Sequence, residues 1–122
     1  MNGEPLSKEY SIRQKVAQLQ VEFEVGRLLA YWIATILDQG RMPNWEAAMC
    51  KGYSTTFEKH LASTAMEILG LYGQLMPESE LVPISGLATF SYLNSKGYSL
   101  QGGTTEILKN IVAQRGLGLP RE

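Results

Sequence analysis

From about Ser7 to Asp38 the apolar residues keep a helical rhythm: Ile12, Val16, Leu19, Phe23, Ala30, Ile33 and Leu37 share one side of a helix. Ser7 or Ser11 is placed to cap it, Ser11 with Gln14 three residues on as a capping box. Val25, Leu28, Leu29, Tyr31, Trp32 and Ile36 widen the apolar zone well past one stripe. A helix apolar over so much of its girth must be covered on several sides, which predicts a bundle and a subunit interface. Gly40 and Pro43 end this helix, and Asn44 is a good cap for the next. The second is predicted from about Trp45 to Leu69, with Trp45, Met49, Tyr53, Phe57, Leu61, Thr64 and Ile68 on one side. The short connection makes the two antiparallel neighbours. Gly52 and the Ser54, Thr55, Thr56 run lower the intrinsic helicity of this segment, so packing must stabilise it.

Gly70 and Gly73 break the second helix. Residues 74–83, with Pro77 and Pro83 among acidic residues, read as a surface loop. Ser85 to Asn94, carrying Leu87, Phe90, Tyr92 and Leu93, predicts a short helix ended near Gly97. Past Gly102 and Gly103, which can take backbone angles closed to other residues, Ile107, Leu108, Ile111 and Val112 mark one face of a last helix. Arg115 suits its negative end, and Gly116 is placed to stop it. No strand alternation or internal repeat occurs. The expected fold is all-α: an antiparallel helical bundle of two long helices and two short ones, in a single domain over residues 1–122.

Composition narrows the class without naming a chemistry. At 122 residues and 44% hydrophobic content the chain is globular rather than disordered. Its 11 basic and 12 acidic residues nearly cancel, so nothing steers it toward nucleic acid or an anionic membrane. The first ten residues, MNGEPLSKEY, lack the apolar core of a signal peptide, and no apolar run is long enough to span a bilayer. The lone Cys50 fits a reducing compartment. These features predict a soluble, cytoplasmic chain.

The Gly-Gly turn has a chemical reading. The first N–H groups of a helix have no intrahelical partners and that end is electropositive, so such a turn can seat an anion such as a phosphate. His60 is the only histidine and has no second ligand at metal spacing, so no metal site is expected. Cys50 reads as a small buried hydrophobe, and the hydroxyls at 54–56 have no His or Asp set around them for nucleophilic catalysis.

Gly102-Gly103-Thr104-Thr105-Glu106-Ile107 followed by the run Ile111 to Glu122, IVAQRGLGLPRE, resembles the C-terminal signature of the acyl-CoA dehydrogenases, especially bacterial members. These are FAD-dependent enzymes that desaturate acyl-CoA thioesters. Phe23 to Tyr31 loosely resembles another family segment, and Ala47-Ala48-Met49-Cys50-Lys51 resembles the family's Ala-Ala-Met-x-Lys. Met66 to Gly73 stands where members have Gln-x-x-Gly-Gly-x-Gly. The likeness covers about Ser11 to Glu122, the C-terminal helical bundle without its first helix and the Arg-x-x-Phe-Gly segment after it. The N-terminal helical domain and middle β-domain of the family are absent from the sequence.

The resemblance implies cofactor contact at Gly103, Thr104 and Glu106, and at Glu67, which stands where members commonly have a Gln touching the FAD of a neighbouring subunit. Gly-Thr with an early acidic residue is also ordinary helix capping. Leu71 replaces a family glycine. Like charges about 4 Å apart near a surface repel by roughly 4 kcal/mol, so an ionised Glu67 facing a pyrophosphate must turn away or meet an Arg. Several members carry the catalytic carboxylate at the position of Gly102, and glycine has no side chain to take a proton. Others take the base from an upstream helix that this sequence does not contain, so no catalytic residue is named. The resemblance thus implies the C-terminal portion of an FAD-dependent oxidoreductase acting on CH–CH donors, which would supply the oligomer core and one wall of the flavin site. Acyl-CoA would bind only in the full-length enzyme, and the isolated chain is expected to be inactive. The alternative is a stand-alone, non-catalytic oligomerisation module derived from that family. Both readings imply self-association as a homodimer or tetramer.

Overall fold

In the computed structural model, residues 5–121 are described; residues 1–4 and residue 122, the glutamate closing the terminal signature, lie outside them. The described residues form four α-helices: α1 over Tyr10–Asp38, α2 over Trp45–Leu69, α3 over Leu87–Tyr98 and α4 over Thr105–Ile111. Short 3-10 turns occupy Leu6–Lys8, Gly70–Gln74 and Pro83–Gly86, and α4 runs on into a π turn over Val112–Gly116. None of these helices is long and apolar enough to cross a membrane.

Helix α2 is the hub, packing against α1, α3 and α4. The α1–α2 pairing is antiparallel, as the short link requires. Going up α1, its partners go down α2: Lys15 pairs with Glu67, Glu22 with His60, Phe23 with Phe57, and Trp32 with Trp45. The side of α1 turned to α2 carries Leu19, Gly26, Leu29, Ile33 and Ile36, with Leu19 and Ile36 buried. Phe23 and Leu37 are exposed, so the sequence rhythm located the helix but not its covered stripe.

Small residues dominate the interior. Ala48, Thr55, Ala62 and Thr64 of α2, Ala88, Thr89 and Ser95 of α3, and Leu108 of α4 are buried. Threonine and serine are accommodated because their hydroxyls bond local carbonyls: Thr55 to Lys51, Ser95 to Tyr92, and Thr89 to Leu75, which ties the end of the Gly70–Gln74 turn to α3. Buried Ala and Thr let helices approach closely but bury little apolar area each. The accessible surface is 8802 Å² for a 13.5 kDa chain. A folded monomer of that mass is expected to expose roughly 6,500 Å², so about 2,300 Å² is in excess.

Several local expectations are corrected. Glu9, not Ser7 or Ser11, stands at the start of α1 and makes no side-chain cap; the Ser11 hydroxyl turns to the Glu9 carboxylate instead. Asn44 precedes α2 but does not cap it, because Arg115 donates to its side-chain oxygen at 2.8 Å. The cap role passes to Glu46, whose carboxylate accepts the Asn44 backbone N–H at 3.0 Å and suits the positive end of α2. Leu61 and Ile107 are exposed rather than packed. Helix α3 starts later than Ser85 because Ile84, Ser85 and Gly86 are all left-handed, with φ of 45°, 55° and 74°. Its other end falls where the sequence places it, at Tyr98 beside Gly97. Gly116 does close the last turn, and a Cβ there would lie 3.0 Å from the Trp45 ring.

Candidate functional site

Helix α4 packs against α2. Leu108, its one buried residue, packs over Gly52, the point of α2 with no side chain. Between the two helices lies an apolar groove of about 410 Å³ that takes in Gly52 and Leu108 themselves. Met49, Gly52, Tyr53 and Thr56 form one wall; Thr105, Lys109, Val112 and Leu117 form the other. The Tyr53 hydroxyl donates to the Glu22 carbonyl at 3.0 Å, and burial, with the Glu22 charge, pushes its pKa up.

The Gly-Gly turn sits at one end of α4. Gly102 and Gly103 have φ of 70° and 111°, angles that a side chain would strain, so the choice of glycine is conformational. Lys51 secures the turn: its ammonium donates to the Tyr98 carbonyl at 2.9 Å while its stem lies against Gly102. Thr104 caps α4, its hydroxyl accepting the Ile107 N–H at 3.4 Å. Glu106 in the first turn has its pKa lowered, first by its own backbone N–H, then by the Thr104 hydroxyl, and further by Lys109 and Lys59. A carboxylate held ionised and solvated in this way is a weak proton acceptor. With Gly102 lacking a side chain, the turn itself offers no base.

Gly103, Thr104 and Glu106 are therefore brought together. Glu67 is not with them. Lys59, whose charge acts on Glu106, is eight residues short of Glu67, which is about 12 Å along α2. The Glu67 carboxylate is exposed and ion-paired to Lys15 of α1, so the cation it meets is a lysine rather than an arginine. Leu71 is exposed at the end of the same helix. Among the described residues no group of three or more His, Cys, Asp or Glu could hold a metal ion. His60 is bound instead by Glu22 at 2.8 Å, and Cys50 is half-buried.

The sequence did not mark Lys51 and Lys59 as parts of this region. Only their spacing of eight, which puts both near one side of α2, could have suggested it. Gly116 as a helix stop and Trp45 on the apolar side of α2 are legible separately, and their contact needs the fold.

The family model described as "Acyl-CoA dehydrogenase, C-terminal domain" matches residues 1–117. The chain is similar to glutaryl-CoA dehydrogenase of Desulfococcus multivorans, 33% identical over 118 residues. That match takes in 96% of this chain and 28% of the relative. It is also similar to acyl-CoA dehydrogenase IpdE1 of Mycolicibacterium smegmatis, 36% identical over 112 residues, 91% of this chain and 26% of that one. Among solved structures, the Tcur3481-Tcur3483 steroid ACAD matches with a TM-score of 0.91 and 26% identity, over 99% of this chain and 31% of that chain. The ChsE4-ChsE5 complex from Mycobacterium tuberculosis matches in fold, with a TM-score of 0.90 and 23% identity, over 99% of this chain and 31% of that one. The chain thus spans about 30% of the length of the proteins it resembles.

Proposed function

Since this chain belongs to the acyl-CoA dehydrogenase family, matching the model of its C-terminal domain, we propose that it is the C-terminal helical part of an FAD-dependent acyl-CoA dehydrogenase-like oxidoreductase. Residues 1–122 act as one helical-bundle domain of a cytoplasmic flavoprotein of acyl-CoA and fatty acid metabolism. Its part is to build the oligomer core and to close one side of the flavin site. The observation that carries this reading is the Gly102–Gly103 turn opening onto the Thr104-capped α4, where the family signature implies contact with FAD. Gly103, Thr104 and Glu106 form that wall. Glu67, displaced along α2 and held by Lys15, faces a second flavin, that of a neighbouring subunit. Acyl-CoA is bound only where the remaining domains and the base they carry are present.

Self-association is supported by the excess surface, since a standard interface removes about 800 Å² from each partner and this chain exposes far more than that beyond expectation. The chain on its own has no base at the turn, so it should not turn over acyl-CoA. Visible absorbance of the purified chain with added FAD, and dye reduction driven by acyl-CoA, test this; acyl-CoA-dependent reduction would overturn it.

A second reading, a stand-alone oligomerisation module derived from the family, is favoured by Gly102 at the position of the base and by Glu67 already neutralised within the chain. Reading the DNA upstream of Met1 separates the two. An open frame continuing into a β-domain and an Arg-x-x-Phe-Gly segment supports the enzyme; a ribosome-binding site directly upstream supports the module.

A further inference from the structure

The last carbonyl of α3 accepts from a side chain of another helix. The Leu100 and Gln101 amides both turn back to the Gly97 carbonyl, at 2.9 Å and 3.2 Å. The next carbonyl, that of Tyr98, takes its donor from α2: the Lys51 ammonium, 47 residues away in sequence. A cation suits this end of α3, where the helix dipole is negative. The bond therefore ties the chain, as it leaves α3 for the Gly-Gly turn, to a fixed point on α2.

Four residues past Tyr98 the same side chain meets the turn itself. A Cβ at Gly102 would lie 3.7 Å from Lys51 Cε, so the lysine stem is the floor beneath Gly102. The next residue of α2, Gly52, leaves the space that Leu108 fills, and Leu108 in turn lies 3.5 Å from the Cβ position of Gly103. The two glycines are thus seated on consecutive residues of α2: Gly102 on Lys51, and Gly103, through Leu108, on Gly52. The seats differ in kind. Apolar contact with Leu108 has no direction, whereas the lysine seat ends in a directional bond from a charged donor. Glycines at φ of 70° and 111° have wide freedom of their own. Their turn keeps one shape only where something outside it imposes one. Lys59 and Lys109 act nearby through their charge on Glu106, which fixes no backbone angle.

We infer that Lys51 is a positioning residue: its ammonium, held by the Tyr98 carbonyl, fixes the Gly102–Thr104 turn in the pose from which Gly103 and Thr104 meet the flavin. It rests on the reading of this turn as the flavin-facing wall, and names the side chain that sets the wall's shape. Lys51 acts through the turn, not by touching the cofactor.

Lys51→Met keeps the stem and removes the donor; Lys51→Arg keeps both. Residue-by-residue amide exchange in the purified chain follows Gln101 and Ile107, which flank the turn and are bonded to Gly97 and to Thr104. In Lys51→Met both should exchange about tenfold faster, as loss of a hydrogen bond from a charged donor implies. Ala62, buried in α2, should be unmoved, and Lys51→Arg should restore both rates. Lys109→Met, which removes a charge near Glu106, should leave them at wild type. Unchanged exchange at Gln101 and Ile107 in Lys51→Met overturns the inference. So does a rise shared equally by Ala62, which would make Lys51 a general contributor to stability. Should Lys51→Met fail to fold, the wild-type chain decides: the Lys51 ammonium protons must exchange more slowly than those of Lys109 in heteronuclear NMR, and equal rates overturn the inference. Flavin is read separately. In the FAD-loaded enzyme, Lys51→Met should release FAD faster on dilution, seen as rising flavin fluorescence, and Lys51→Arg should not. A loosened turn with FAD release at the wild-type rate would sink the flavin-wall reading and leave Lys51 as the strut of the turn.

Discussion

Gly52 is a helix-interior glycine whose replacement should stabilise the protein, and the reason lies in how α4 is seated. A methyl group added there would meet Leu108 Cδ1 at 3.9 Å and its Cβ at 4.0 Å, ordinary contact distances. The backbone is helical and its carbonyl stays available to the hydroxyls of Thr55 and Thr56 that use it. Removing glycine from a helix interior is worth about 1 kcal/mol, and part of a buried methyl adds a few tenths more. Gly52→Ala should therefore gain about 1 kcal/mol and raise Tm by roughly 4 °C for a chain of this length. Gly116→Ala is the matched opposite. Its Cβ would lie 3.0 Å and 3.1 Å from two atoms of the Trp45 ring. That ring is braced edge-on by Trp32 at 5.5 Å and cannot move aside freely. Crowding of this kind costs about 1–3 kcal/mol. Thermal melts followed at 222 nm, the usual helical band, at equal protein concentration, compare the two with wild type. A fall of several degrees for Gly52→Ala would refute the reasoning, because α4 would then have to lie closer to α2 than the Leu108 contact allows.

Gly86→Ala should be among the costlier substitutions, by about 2 kcal/mol or more, since it adds left-handed strain at φ 74° to a Cβ only 2.8 Å from Pro77; a denaturation midpoint within error of wild type would sink this. Thr104→Ala should lose about 1 kcal/mol through the cap of α4, seen as faster amide exchange at Ile107; unchanged exchange would mean the long 3.4 Å bond contributes nothing. Glu22 should give the fold an acid limb. Its pKa is lowered from 4.5, first by Gln18 and then by His60, so its contribution is full above 4.5 and disappears as pH falls through the lower, folded value. Gln18→Ala should shrink that loss in acid melts; an identical acid profile would exclude the Gln18 bond as its cause.

The sequence located α2 to the residue, because Pro43 and Asn44 before it and Gly70 after it are strong local punctuation. The Gly-Gly turn was equally plain, since φ above zero at two successive residues is a demand that glycine meets openly. What the sequence did not show were particular contacts between distant segments. Asn44 looked like a cap until Arg115, far along the chain, took its oxygen. Leu61 and Ile107 looked like core because hydrophobicity was weighed residue by residue, whereas helix crossings here are filled by Ala48, Ala62, Thr64 and Ala88. In the candidate site, Gly103, Thr104 and Glu106 were legible as neighbours in one turn. The distance of Glu67 from them, and the lysines around them, belonged to the path of α2.

The bond between Lys15 and Glu67 makes this spot electrically silent. A phosphate drifting toward position 67 meets a matched pair, neither repelled by a bare acid nor drawn by a bare amine. Exchanging that one carboxylate for an amide would strip the Lys15 ammonium of this counterion and leave its positive charge facing solvent beside α2. The route from an indifferent patch to one that attracts anions is thus a single residue long, and the cation it would unmask is already in place on the neighbouring helix.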